Sequence, residues 1–333
     1  MADYKDIVGS KVTVVSSNPT DPTTGQVWYN TTDNVLKYKK VNASGAWSTG
    51  GNLNTGARTR TGLGAQTSAL SFGGRNIGPN TYIANNELYN GSSWTEVNDL
   101  NTAGSSMGGV GTSTAGLAFG RQPVLAPGAL NESWNGSSWT ELADLNQQRQ
   151  MLAEAGTQTA ALAFGGDNPT PVGGPPQAAE TESWNGSSWT EVNDLNTGRT
   201  HVAGAGTTNT AALAFAGNNH PTTVNAETEL WNGSSWTEVN DLNAPGRLGS
   251  GCGSSTAAML MGRYSPSPSN WDLCEHWNGT SWTEVNDLNE GRYYTGGSGT
   301  QGAGILHSGQ EGPGVSNMQN TEEFNTSFTV AVD

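Results

Sequence analysis

The sequence predicts an all-β chain, a six-bladed β-propeller preceded by a short N-terminal β-hairpin segment, and three observations carry that prediction. The first is a repeat. ELYNGSSWTEVNDLN, ESWNGSSWTELADLN, ESWNGSSWTEVNDLN, ELWNGSSWTEVNDLN and EHWNGTSWTEVNDLN begin at Glu87, Glu132, Glu182, Glu229 and Glu275. Their second aromatic falls at Trp94, Trp139, Trp189, Trp236 and Trp282, spaced 45, 50, 47 and 46 residues apart, a period that marks a solenoid or a propeller. The second is a run of small residues followed by an alternating apolar strand. It reads ALSFGG at 69–74, GLAFGR at 116–121, ALAFGG at 161–166 and ALAFAG at 212–217, with weaker copies MLMGR at 259–263 and ILHSG at 305–309. Alternation of period two excludes helices there. The third is composition: 46 Gly and 12 Trp with only 33% hydrophobic residues suit many short strands pinned by aromatics, not a large aliphatic core.

Each unit reads as four strands: a small-residue strand, an AxAFGG strand, an ExW strand and an SWTEV strand. First strands crowd a central channel, where only Gly, Ala, Ser and Thr leave room. Asn-Gly joins the third strand to the fourth because both residues tolerate positive φ. The aromatics flanking that turn, such as Trp134 and Trp139, pack on the sheet or between blades. Burying one such ring removes ~150–250 Å² from water, worth roughly 4–6 kcal/mol before entropic costs. The DLN-x-GR segment then turns the chain towards the next unit. Two degenerate copies flank the array, AWSTGGNLN around Trp47 and EEFNTSFTV around Phe328. Six small-plus-AxAFGG pairs against seven such hairpins favour six blades over a seven-bladed alternative, with the hairpin at 34–50 expected to tether the ring.

These residues resemble the kelch family over 55–333. The Gly-Gly after an apolar strand, the aromatic on the third strand, Trp on the fourth and Arg at the next start (Arg149, Arg199, Arg247, Arg292) all match. The chain departs in the short spacing from Trp134 to Trp139 and in losing the second Gly at several sites. The Gly-His and Trp-Asp pairs of WD40 repeats do not occur at repeat spacing.

Charge sets a domain boundary near residue 50. All five Lys (Lys5, Lys11, Lys37, Lys39, Lys40) stand against four Asp within residues 1–50, a net of +1, whereas residues 51–333 carry nine Arg and 25 acidic residues, a net of −16. The expected domains are therefore an N-terminal attachment segment, 1–50, and the propeller, 51–333. So acidic a body argues against binding nucleic-acid phosphates. The opening MADYKDIVGS lacks the apolar core of a signal peptide, and no apolar stretch approaches the ~20 residues of a membrane span. Cys252 and Cys274 fall on the first and third strands of one blade, about 9–10 Å apart, too far for a disulfide. They read as small buried hydrophobes.

No catalytic constellation emerges, so no enzyme, metal site or cofactor is expected. The histidines His201, His220, His276 and His307 occupy unrelated repeat positions. The recurrent pairs Glu96/Asp99, Glu141/Asp144, Glu191/Asp194, Glu238/Asp241 and Glu284/Asp287 read as solvent-facing residues or as partners of the recurring Arg. What differs between units is the connector between second and third strands, at 75–86, 121–131, 167–179, 218–226, 263–273 and 310–320. All emerge on the face that also holds the DLN-x-GR turns, and loops on a rigid scaffold are where binding resides. Tyr82, Arg121, His220, Tyr264 and Trp271 are the candidate ligand-binding residues there.

Residues 12–40 resemble a short module of tail-fibre and other structural proteins of tailed bacteriophages. The match rests on Gly25-Gln26-Val27-Trp28-Tyr29-Asn30-Thr31-Thr32 followed by Leu36-Lys37-Tyr38. It implies two strands, Gln26–Asn30 and Val35–Lys40, with Trp28, Tyr29 and Tyr38 as attachment residues. The NGSSWTEVNDLN copies are similar to propellers of marine and cyanobacterial phages. The resemblance implies a virion structural protein that leaves the cell by lysis. It would bind other virion proteins through residues 1–50 and a host-surface glycan or protein through the variable loops, without membrane insertion, and could assemble as a homo-oligomer. The alternative is a non-viral kelch-like protein- or glycan-binding module.

Overall fold

The computed structural model describes residues 12–19, 26–123, 128–168, 178–220, 223–265, 271–312 and 318–332. The chain divides into two compact units, Trp47–Phe324, and Met1–Ala46 with Asn325–Asp333.

In the second of these, β1 (Thr13–Val15) runs parallel to β2 (Val27–Asn30), which pairs antiparallel with the start of β3 (Val35–Thr49). The turn between β2 and β3 is set by Asn30, whose Oδ1 accepts the N–H of Thr32 at 2.9 Å and of Asp33 at 3.1 Å, and by Asn34, which takes φ 59°. The hairpin is as the sequence predicts. The parallel partner β1 is an addition that period-two reading of a three-residue strand does not reveal.

The larger unit is all-β, and among the described residues it holds repeated four-stranded antiparallel sheets in a propeller-like arrangement. The first joins β4 (Thr61–Ala65), β5 (Ser68–Phe72), β8 (Asn86–Tyr89) and β9 (Trp94–Val97), with its connector paired as β6 (Arg75–Asn76) and β7 (Thr81–Tyr82). The second joins β10 (Gly108–Thr112), β11 (Ala115–Phe119), β12 (Asn131–Trp134) and β13 (Trp139–Glu141). The third joins β14 (Ala153–Thr157), β15 (Ala160–Phe164), β16 (Thr181–Trp184) and β17 (Trp189–Val192). The fourth joins β18 (Ala203–Thr208), β19 (Ala211–Phe215), β22 (Thr228–Trp231) and β23 (Trp236–Val239), its connector paired as β20 (Asn218–His220) and β21 (Thr223–Val224). The fifth joins β24 (Ser250–Ser254), β25 (Ala257–Met261), β26 (Cys274–Trp277) and β27 (Trp282–Glu284). After these come β28 (Gly296–Thr300), β29 (Ala303–His307) and β30 (Thr321–Val332), in the order β28-β29-β30-β3. Each first strand touches the next, in the succession β4, β10, β14, β18, β24, β28, and β28 touches β4.

The place of β3 beside β30 in this last sheet bears on two expectations. Trp47 is not part of a tether: it is buried against Val285, Leu288 and Met261, and its Nε1 donates to the Asn286 carbonyl at 2.9 Å. Gly50 N donates to the Thr321 carbonyl at 2.9 Å, binding the segment after Trp47 to β30. Trp47 and Phe324, 5.2 Å apart, stand where Trp134 and Trp139 stand at 5.3 Å in the second sheet. The apparent extra hairpin is thus two halves of one, a strand from each end of the chain. The two compact units divide at 46/47, with the buried Trp47 in the larger one.

Aromatic layers hold consecutive sheets together. Each fourth-strand Trp pairs with the third-strand aromatic of its own sheet and packs its other side on the second strand of the sheet before. Trp139 meets Phe72 at 5.1 Å, Trp189 meets Phe119 at 4.8 Å, Trp236 meets Phe164 at 4.9 Å and Trp282 meets Phe215 at 4.8 Å. Trp94 meets His307, which replaces Phe, at 5.0 Å. The Asn-Gly turn works differently from the sequence expectation. Only glycine takes positive φ (Gly91, 91°), while Asn90 Oδ1 accepts the N–H of Ser92 and of Ser93, both at 3.0 Å. Cys252 and Cys274 are free and buried on first and third strands, as the register requires.

Candidate functional site

The buried Arg–Glu pairs are structural. In every sheet the third-strand glutamate accepts the backbone N–H and side-chain amide of the Asn that ends the preceding DLN, as Glu132 does from Asn101 at 2.8 and 3.0 Å. The same carboxylate meets a buried arginine: Arg60–Glu87 3.3 Å, Arg121–Glu132 2.9 Å, Arg149–Glu182 2.6 Å, Arg199–Glu229 2.9 Å, Arg263–Glu275 2.8 Å and Arg292–Glu322 2.5 Å. The arginine partner is therefore the ExW glutamate, not Glu96 or its copies. The recurrent aspartate caps a strand start, with Asp194 Oδ1 accepting Thr181 N at 3.2 Å and Asp241 Oδ1 accepting Thr228 N at 3.2 Å.

Variation gathers at one end. Two residues before each first strand stand Thr59, Ser106, Met151, His201, Leu248 and Tyr294, one per repeat and no two alike. All six hold left-handed backbone conformations, with φ between 54° and 65°. Each costs a non-glycine residue of order 1 kcal/mol or more. Backbone hydrogen bonds over-determine them: Tyr294 N to Leu248 O (3.0 Å), Thr59 N to Tyr294 O (2.8 Å), Ser106 N to Thr59 O (3.1 Å), Met151 N to Ser106 O (2.9 Å) and His201 N to Met151 O (3.0 Å). Six different side chains are thus displayed from one repeated backbone position.

These residues line a cavity of about 110 Å³. Beneath it lies a second, of about 570 Å³, walled by first-strand Gly, Ala and Thr. The second residue of each first strand is Gly62, Gly109, Gly204, Gly251 or Gly297, except in the third sheet, where it is Glu154. Glu154 lines both cavities. Burial pushes its carboxyl up to about 8, opposed only by a hydrogen bond from the Gly109 backbone. His201 stays neutral, its pKa lowered to about 4 by burial and by the nearby Arg247 charge. Its Nδ1 lies 3.1 Å from Asn218 Oδ1, which places the ring proton on Nδ1 and leaves Nε2 an acceptor. Nε2 of His201 and Oγ of Ser106 are buried without a partner.

The structure distributes the sequence-predicted residues unevenly. The connectors do begin beside this end, each bridged to the residue before the variable position, as Arg247 to Tyr264 and Tyr293 to Gln310. Tyr264 and Trp271 are half-buried and brought together around Tyr293, at 5.4 and 5.7 Å, and Tyr293 stacks beside Tyr294 at 5.3 Å. Tyr82 is half-buried under the Arg75 guanidinium at 5.6 Å, within its own connector. Arg121 is fully buried on Glu132 and belongs to the structural lock, not to the face. Arg247 is the reverse case. It does not hold a glutamate but lies over the Tyr264 ring at 5.1 Å. The His220 side chain, and the connector stretches 124–127, 169–177, 221–222, 266–270 and 313–317, lie outside the described residues. In the smaller unit Trp28 is fully buried, Tyr29 and Tyr38 are half-buried, and the large exposed apolar side chains among the described residues are Val12, Val14 and Val27. The six variable positions and Glu154 are what sequence reasoning missed. Their signal was available, since one column of the repeat varies in every copy and another is glycine in all copies but one.

Fold and site together define an all-β repeat protein with a non-uniform pocket at the mouth of a glycine-lined channel. No protein-family model matches the chain, and no curated protein matches it.

Proposed function

We propose that the chain is a six-bladed kelch-like β-propeller that acts as a non-enzymatic recognition scaffold on a phage virion. Residues 1–46 hold it to the particle and the variable end faces the host surface. The observation that carries the recognition reading is the contrast between near-identical hairpins and six different residues, Thr59 to Tyr294, on strained backbone at one end. A scaffold kept constant while the residues gathered at one end vary fits binding better than catalysis. The cyclic contacts of the first strands, with Trp47 in the last sheet, support the six-bladed count. The virion setting rests on the tail-fibre-like residues around Trp28, and the exposed Val12, Val14 and Val27 favour attachment through that unit.

The test is location and binding in parallel. Antibody labelling of purified particles should place the chain on the virion, and labelled full-length protein should bind host cells in a manner lost with Tyr294→Ala. Cell binding without particle location would leave the non-viral module. Particle location without binding would leave a structural role alone.

A further inference from the structure

The pocket at the channel mouth presents an imbalance that the scaffold does not explain. Glu154 replaces a glycine that every other sheet keeps, and no cation offsets its charge. The strands packed against β14, namely β10, β15, β18 and β19, carry no titratable side chain. The other titratable groups lining the cavity are Arg60, already paired with Glu87, neutral His201, and Tyr294. The two unpartnered buried atoms at the pocket, His201 Nε2 and Ser106 Oγ, can both accept hydrogen bonds. A pocket whose three unpaired groups can all accept, one of them an ionisable carboxyl, suits a ligand that only donates. Among common groups that is an ammonium, with three N–H donors and no acceptor.

We propose that this pocket binds a primary ammonium group, with Glu154 as its counter-ion and His201 Nε2 and Ser106 Oγ as its remaining acceptors. Met151 and Leu248 wall the same cavity and suit the apolar stem that carries the ammonium. The space admits a small group: a single water needs ~10–15 Å³, so 110 Å³ has room for the few heavy atoms of a short alkylamine. Two guanidiniums stand near, Arg58 over Tyr294 at 5.2 Å and Arg247 over Tyr264 at 5.1 Å. Both already lie over those rings outside the cavity lining, so a bare alkylammonium still binds, and one that adds a hydroxylated or anionic remainder to meet the arginines binds more tightly. This deepens the recognition reading but does not depend on a virion.

The experiment is calorimetric titration of the full chain with n-propylammonium and, as the uncharged isostere, n-propanol, followed by NMR of the Glu154 carboxyl. The carboxylate form binds, and the group titrates near 8. Affinity should therefore rise about tenfold per pH unit from pH 6 to 7 and level off above 8, with uptake of ammonium releasing a proton below pH 8. Glu154→Gln should weaken binding at least tenfold, and so should Glu154→Gly, which restores the residue the other sheets carry and guards against misfolding. Propanol binding as well as propylammonium, a flat pH profile, or unchanged affinity in both variants would overturn the proposal. Should propylammonium fail while Tyr294→Ala still abolishes cell binding, the ammonium site falls and the recognition reading stands.

Discussion

Arg121 reaches Glu132 at 2.9 Å from the second residue after the second strand, a position that is glycine in four of the other repeats (Gly74, Gly166, Gly217, Gly309). Arg149, Arg199 and Arg292 reach the equivalent glutamates from the turn before the first strand, where the second repeat has Gly104. Arg263 and Gly246 repeat the exchange in the fifth. A Cβ on Gly104 would stand 2.9 Å from Arg121 Cδ, and one on Gly246 would stand 2.4 Å from Arg263 Cδ. In these five repeats one guanidinium site is filled from either of two backbone positions, and the unused position is glycine; in the first repeat Arg60 fills it from a third, with Ala57 and Gly74 at the other two.

The exchange predicts strong coupling. Arg121→Gly leaves Glu132 buried without its cation and should cost ~3–5 kcal/mol. Gly104→Arg alone should also destabilise, because two arginines compete for one space. The double variant Gly104→Arg/Arg121→Gly rebuilds the arrangement of the third repeat and should recover more than half the loss. Denaturant unfolding of the four proteins gives the coupling energy. Additive losses would show that the two positions are not alternatives.

A second prediction concerns the join between chain ends. Trp47 is 9% exposed and fills the place that Trp282 fills in the fifth sheet. Trp47→Ala should cost ~3–5 kcal/mol, the range for truncating a buried large aromatic. Because this strand brings the two chain ends into one sheet, hydrogen exchange should rise first along Thr321–Phe324. An effect confined to residues before 46 would return Trp47 to the role of a tether.

The four-strand unit was legible because packing between sheets demands the same aromatics at the same spacing in each copy. Phe72, Trp134 and Trp139 announce themselves by recurrence. Trp47 was misread because its partner Phe324 lies at the far end of the chain, and local periodicity carries no sign of such a pairing. Arg121 and Arg247 were exchanged for a related reason. A Gly-Arg dipeptide looks alike whether its arginine turns inward or outward, and only the glycine at Gly104 or Gly246 decides. Glu154 was hidden in a run of small residues, where one charged side chain reads as noise until the channel places it opposite five glycines.

His307 supplies the last prediction. It stands where Phe72, Phe119, Phe164 and Phe215 stand, its Nδ1 3.3 Å from Ser71 Oγ and its Nε2 buried without a partner. Burial, with the charges of Arg60 and Arg292, holds its pKa well below 6.5, so the folded ring is neutral. The unfolded chain protonates His307 near 6.5, and below that pH it binds the extra proton. This residue's contribution to stability is therefore whole above 6.5 and shrinks as pH falls, by up to ~1.4 kcal/mol per pH unit. His201 and His276, lowered to about 4, act in the same direction between 6.5 and 4. Glu154, raised to about 8, acts in the opposite direction, its contribution present below 4.5 and lost as pH rises to 8. Comparing His307→Phe with the parent cancels those shared contributions. The variant loses one weak hydrogen bond and one orphaned nitrogen, so it should match the parent within about 1 kcal/mol at pH 7.5. At pH 5 it should be the more stable by roughly 1–2 kcal/mol. Urea unfolding at the two pH values measures the difference, and a gap that does not widen on acidification would mean that the buried ring already carries its proton.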